Sequence, residues 1–164
     1  MSDNAKFNLA NPIHFLALGF GTGLAPKAPG TFGTLATLPF LYFMMPLSVA
    51  VYIAVTVVLA IVGIYLCGKT AKDSGVHDHG AIVWDEIVGY LITMIGVAFS
   101  WQSLLVGFLL FRFFDILKPW PISYIDKHVH GGLGIMLDDV AAGLAALVCM
   151  HFIFYFLRRS INLK

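Results

Sequence analysis

Five carboxylates stand at the ends of apolar runs: Asp85 and Glu86 open one, Asp115 closes another, and Asp138 and Asp139 open a third. A carboxylate at bilayer depth costs about 2.5–3.5 kcal/mol, so several left unpaired would together cost about 10 kcal/mol. Something positive must hold them. Oxygen ligands without a Cys/His cage suit a hard ion, so the five acids are candidate ligands for Mg²⁺ rather than Zn²⁺. Basic residues recur nearby at Lys27, Arg112 and Lys118. Acids opposed to cations beside a bilayer describe a site for a phosphorylated lipid headgroup. The matching chemistry is metal-assisted phosphoryl transfer to water, with Arg112 and Lys118 spreading the developing charge.

Each motif also has a structural reading. Arg112, Asp115 and Lys118 recur every three residues and share a helical face, so they form either a salt-bridge ladder or an anion clamp. Adjacent residues on a helix diverge by about 100°, so one of Asp85 and Glu86 is expected to face the bundle interior while its neighbour bonds a supporting group. Both would also suit the helix dipole at a first turn. Asp138 and Asp139 are expected at a helix start, where capping needs only one aspartate. Gly131, Gly132 and Gly134 before them suit a pliable closing loop. Gly89, and Ala142, Gly143 and Ala146 on the last span, permit close helix approach beside the acids. Between Gly19 and Thr34, glycines accompany Thr22, Thr31, Thr34 and Lys27 just ahead of a predicted helix. That string is either a phosphate cradle, with Lys27 and Thr31 on the substrate, or a glycine-rich turn with threonine caps. His77-Asp78-His79 could bind a metal, although short polar loops produce such triplets freely. Cys67 and Cys149 lie in apolar helical sequence without CxxC spacing, which suits packing rather than redox chemistry.

The elements that must position these residues are membrane helices. The 164 residues are 59% hydrophobic and 12% charged, against about 25% charged in soluble proteins. This composition indicates an integral membrane protein, read as a single domain over 1–164. The net charge of +1 carries no nucleic-acid signature, and the polar first dozen residues show no cleavable signal. Residues 28–68 form 41 consecutive positions without formal charge, about 60 Å as helix against a hydrocarbon core near 30 Å. Pro46 is the natural break, giving a short helix over Thr31–Met45 and a full one over Leu47–Cys67. Lys69 and Lys72 precede the run Ile87–Phe111, and Arg112, Lys118 and Lys127 follow it. The positive-inside tendency therefore favours a hairpin with legs Trp84–Ser100 and Trp101–Leu117, its basic ends cytoplasmic. A last span covers Asp138–Leu157, and Arg158, Arg159 and Lys164 emerge on the other side, against the charge rule. The expectation is an all-α, polytopic bundle with about four to five membrane-embedded helices, some short or re-entrant.

Four strings also carry a resemblance. Gly19-Phe-Gly-Thr-Gly-Leu-Ala-Pro-Lys-Ala-Pro-Gly-Thr-Phe-Gly-Thr34, Val76-His-Asp-His-Gly-Ala-Ile-Val-Trp-Asp-Glu86, Phe111-Arg-Phe-Phe-Asp-Ile-Leu-Lys-Pro-Trp-Pro121 and Val129-His-Gly-Gly-Leu-Gly-Ile-Met-Leu-Asp-Asp139 resemble the phosphatidylglycerophosphatase A family, in order, over roughly 12–147. The resemblance implies a Mg²⁺-dependent enzyme of the bacterial inner membrane that hydrolyses phosphatidylglycerophosphate to phosphatidylglycerol and phosphate in phospholipid biosynthesis. It implies that Asp85, Glu86, Asp115, Asp138 and Asp139 belong to the active site, with Lys27, Arg112 and Lys118 near the phosphate. The competing readings are a divalent-cation transporter, which should carry its acids near mid-span in paired inverted halves, and a membrane scaffold, which leaves the double aspartates without a task.

Overall fold

Two helices are long and apolar enough to cross a bilayer, α4 (Val49–Ser74) and α8 (Gly131–Ile161). They belong to a computed structural model that describes residues 7–76 and 79–161, with side chains described as far as Arg159. Only 22% of each apolar window is buried, whereas the core helix of a water-soluble protein is mostly enclosed. Val58, Ile61 and Tyr65 on α4, and Leu144, Val148 and Phe152 on α8, are exposed; in a bilayer their solvent is lipid. The chain is therefore a membrane helical protein, with no strand among the described residues.

Between these long helices lies α5 (Trp84–Thr93), in which every residue except Glu86 is buried. Its ten residues make about 15 Å of helix, half a hydrocarbon core. A helix this short is held by its neighbours. Tyr52 of α4 donates its hydroxyl to Leu91 O at 2.8 Å, and the Trp84 indole N–H reaches Leu59 O at 3.1 Å. Tyr90 donates to Leu104 O at 2.7 Å on α6 (Trp101–Leu117). Gly89 permits close approach: a Cβ there would lie 2.5 Å from the Phe111 ring and 2.9 Å from Asp139 O. On the facing helix, a Cβ on Gly143 would stand 2.4 Å from Gly89 O. Ala142 and Ala146 beside it are fully buried, so the small residues of α8 form the expected seam.

Around this core sit α1 (Pro12–Ala17), a 3₁₀ turn over Thr22–Leu24, α2 (Pro29–Ala36), α3 (Leu38–Met44) and α7 (Ile122–His128). The predicted Thr31–Met45 helix is two pieces because Pro39 has no N–H to return to Leu35 O. The break at Pro46 holds, with Ser48 capping α4 by accepting Val51 N–H.

Three boundaries differ from the sequence expectation. The helix predicted over Leu47–Cys67 covers Val49–Ser74, running through Lys69 and Lys72 to a left-handed Gly75. The leg predicted to reach Ser100 stops at Thr93, because Gly96 takes a left-handed φ of 70°. The irregular carbonyls that follow find donors in Ser103 Oγ, 2.6 Å from Ala98 O, and the His151 ring, 2.9 Å from Ile95 O. The predicted start of α6 at Trp101 is correct, fixed by a reciprocal Ser100/Ser103 capping box. Finally, Gly131, Gly132 and Gly134 are helical rather than a closing loop. A Cβ on Gly132 would stand 1.9 Å from Ile64 O, so Gly132 seats the start of α8 on α4, and the helix begins seven residues ahead of the predicted start.

The Gly89/Gly143 seam sets a stability expectation. Gly143→Val forces side-chain volume onto the Gly89 carbonyl and lowers stability by about 1–3 kcal/mol, read as a lower melting temperature in detergent. Val148→Leu, on the lipid face of the same helix, leaves the melting temperature in place; equal values for both variants would refute the tight seam.

Candidate active site

The seam brings the first turn of α5 against the third turn of α8. Asp85, Glu86 and Asp139 each offer a carboxylate oxygen within 4.8 Å of the others. Both members of the Asp85-Glu86 pair contribute, although their side chains leave the helix about 100° apart. This is possible because α5 is enclosed, packed against α2, α4, α6 and α8. Asp85 is 8% exposed and Asp139 3%. At an effective dielectric near 20, two full charges 4.8 Å apart repel by about 3–4 kcal/mol. Glu86 Oε2 and Asp139 Oδ2 are buried with no hydrogen-bond donor. Three converging carboxylates and two such oxygens fit a hard divalent cation.

Arg112 stands beside the cluster. Its Nη1 is 2.5 Å from Asp115 Oδ2 and 3.9 Å from Glu86 Oε1, while its Nε is buried without an acceptor. The Arg112/Asp115 rung of the predicted ladder therefore exists. Lys118 does not extend it, because a left-handed φ of 42° ends α6 there and turns the side chain away. Its Nζ lies 2.5 Å from Asp126 Oδ1 on α7 and 2.6 Å from Asp138 Oδ2 on α8. Burial works to lower the Lys118 pKa, but the hydrogen bonds to Asp126 and Asp138 outweigh it and hold the ammonium above its ordinary value. Lys118 is therefore a fixed positive charge.

Asp138 and Asp139 are about two turns inside α8, not at its start, so neither is a capping residue. Being adjacent, they diverge: Asp139 joins the α5 carboxylates, and Asp138 joins Lys118. The wall between the acids and solvent is the first turn of α2. A Cβ on Gly30 would lie 2.4 Å from Glu86 Oε1 and 2.9 Å from Arg112 Nη1, so glycine leaves the only room for these groups. Thr31 beside it is half-buried and Lys27, ahead of the helix, is exposed. Thr34 donates its hydroxyl back to Gly30 O at 2.8 Å, which is helix bracing rather than a ligand contact.

Other candidates lie elsewhere. His77 and Asp78 fall outside the described residues, and His79 accepts the Ala81 N–H at 3.1 Å. Cys67 is buried against Met136, and Cys149 is half-buried; both are free thiols, as packing roles require. Sequence reasoning missed Gly30 and Asp126. Gly30 stood inside a string already singled out, but nothing in its spacing announced which acid it would meet. Asp126 is eight residues from Lys118, a separation that no helical rule couples.

A membrane bundle with a buried carboxylate centre flanked by an arginine and a clamped lysine defines a class, the membrane helical proteins with an ionic centre enclosed among their helices. The phosphatidylglycerophosphatase A family profile matches residues 15–154, and the chain belongs to that family. It is 48% identical over 150 residues to phosphatidylglycerophosphatase A of Escherichia coli K12, covering 91% of this chain and 87% of the relative. It is 49% identical over 154 residues to phosphatidylglycerophosphatase A of Haemophilus influenzae, covering 93% and 94%. No solved structure matches the chain.

Gly30 supplies a direct check on this geometry. Gly30→Ala displaces Glu86 or Arg112 and is expected to lower phosphatase kcat by about tenfold to a hundredfold, with circular dichroism and elution volume unchanged. Wild-type turnover would mean that neither group needs its observed place.

Proposed function

We propose that the protein is a Mg²⁺-dependent phosphatase that hydrolyses phosphatidylglycerophosphate to phosphatidylglycerol and inorganic phosphate. The observation that carries this reading is the convergence of Asp85, Glu86 and Asp139 within 4.8 Å beside the Arg112 guanidinium. The relatives' names support the substrate. An all-oxygen donor set with two buried oxygens lacking donors supports a hard cation, held by Asp85, Glu86 and Asp139. When bound, Mg²⁺ supplies Lewis-acid polarisation of the phosphate.

The chain's own residues do the rest. Arg112, oriented by Asp115, presents its remaining donors to the phosphate oxygens and takes up charge as the transition state develops. Lys118 adds positive potential from the far side while Asp126 and Asp138 hold it in place. Lys27 and Thr31 stand at the rim formed by α2, where the headgroup enters. A water oxygen attacks phosphorus and gives its proton to a carboxylate of the centre. The bond from phosphorus to the terminal glycerol oxygen breaks, and that oxygen takes the proton back from the carboxylate and leaves as the lipid alcohol.

The same reading places the site at the cytoplasmic face of a bacterial inner membrane. Lys69 and Lys72 lie at the end of α4 where Gly68 packs on Gly132, and Lys118 and Lys127 lie just ahead of α8, so the positive-inside tendency favours this end as cytoplasmic. The antiparallel pair α5 and α6 then forms a short hairpin that enters from that face, and α2 with α3 runs from the site to the opposite end of α4, where Tyr42 meets Phe99 at the tip of the hairpin. With α4 and α8 these make four to five membrane-embedded elements.

Purified protein in detergent is expected to release phosphate from phosphatidylglycerophosphate with Mg²⁺, to stop with excess EDTA, and to recover when Mg²⁺ is restored. Release that persists in EDTA would remove the metal from the reading, and no release from folded protein would remove the phosphatase. Asp139→Asn takes one charge from the centre. Its kcat is expected to fall at least as far as the loss of a supporting group allows, about a hundredfold, and an unchanged Mg²⁺ dependence would take Asp139 out of the site.

A further inference from the structure

A groove of about 500 Å³ runs between α3 and α4, lined by Phe20, Ala36, Phe40, Phe43, Val55 and Leu59. That volume falls in the range of small-molecule sites, about 300–1,000 Å³, yet its wall presents almost no polar atom. Such a wall can recognise only a hydrocarbon.

The groove lies beside the carboxylate centre and is tied to it along two elements. On α2, Gly30 touches Glu86 and Arg112, and Ala36 at the other end of the same helix lines the groove, about 9 Å further along the axis. On α5, Trp84 directly precedes Asp85. Its ring centroid lies 6.3 Å from each of Phe20 and Phe40, and its indole N–H is fixed on Leu59 O at 3.1 Å. Trp84 thus forms the partition between groove and centre, buried and held from both sides.

We propose that this groove is the acyl-chain subsite of the lipid substrate, a proposal that rests on the phosphatase reading. A glycerol, a phosphodiester and a second glycerol separate the terminal phosphate of such a lipid from its acyl chains. A chain site displaced from the centre along α2 matches that spacing. A concave apolar groove beside the centre gives the enzyme a reason to prefer a membrane lipid to a free headgroup phosphate, since each buried methylene adds to binding.

Two measurements test it. The first compares phosphate release from dipalmitoyl phosphatidylglycerophosphate with release from its deacylated, water-soluble headgroup. Ala36→Phe fills the groove, and the ratio of kcat/KM for the acylated over the deacylated substrate is expected to fall about tenfold. An unchanged ratio overturns the subsite. The second uses the wild-type protein and a phosphatidylglycerophosphate carrying a photoreactive diazirine midway along one acyl chain. Labelling is expected on Phe40, Phe43, Val55 or Leu59; labelling spread over lipid-facing residues such as Leu109, Val148 and Phe152 overturns the proposal. The two readings fail differently. Wild-type protein that cleaves neither substrate refutes the phosphatase, whereas wild-type protein that cleaves both with equal kcat/KM refutes the groove alone.

Discussion

The contact between Gly89 and Gly143 sets the distance between α5 and α8, and that distance decides what Asp85, Glu86 and Asp139 can do together. With a side chain at either glycine the helices would part, and the acids would drift beyond the reach of a single ion. At the observed separation the three carboxylates repel by about 3–4 kcal/mol per charged pair, comparable in sum to the whole stability of an ordinary domain, about 5–15 kcal/mol. A protein that tolerates such a cluster must neutralise it, by cation or by proton.

The rest of the site serves that balance. Arg112 stands close enough to Glu86 to offset charge but spends its shortest contact on Asp115, which leaves the guanidinium oriented and partly uncommitted. Lys118 is tied to Asp126 and Asp138, so a second positive charge sits one residue along α8 from the carboxylate centre without neutralising it. The two cations have different tasks because their partners differ. Arg112 stands within 3.9 Å of Glu86 and keeps its buried Nε without an acceptor, whereas Lys118 is already satisfied and links α6, α7 and α8 around the site.

The membrane shapes the architecture from outside. Hydrocarbon gives no hydrophobic drive to pack one apolar helix on another, so association falls to close backbone approach and interhelical hydrogen bonds. Both are visible: glycines meet carbonyls at the α4/α8 and α5/α8 crossings, and Tyr52, Tyr90 and Trp84 donate across helices to backbone oxygens. The long helices α4 and α8 supply the span. The short α5 supplies two of the three converging acids, because an enclosed helix can turn both members of an acidic pair inward.

What the sequence determined by itself was everything that depends on composition and local pattern. The membrane class follows from 59% hydrophobic residues and uncharged runs too long for one crossing. The start of α6 follows from a serine pair that caps it, and the list of acids and cations follows from their rarity in apolar sequence. Family membership was legible in four ordered strings, because they are long and unusual. The tertiary structure decided how those residues divide. That Asp139 meets α5 while Asp138 meets Lys118, that Asp126 joins the clamp, and that Gly30 walls the site all depend on contacts between distant segments. The start of α8 was misread for the same reason. Glycines at 131, 132 and 134 read locally as a loop, and only the α4 backbone packed against Gly132 makes them a helix.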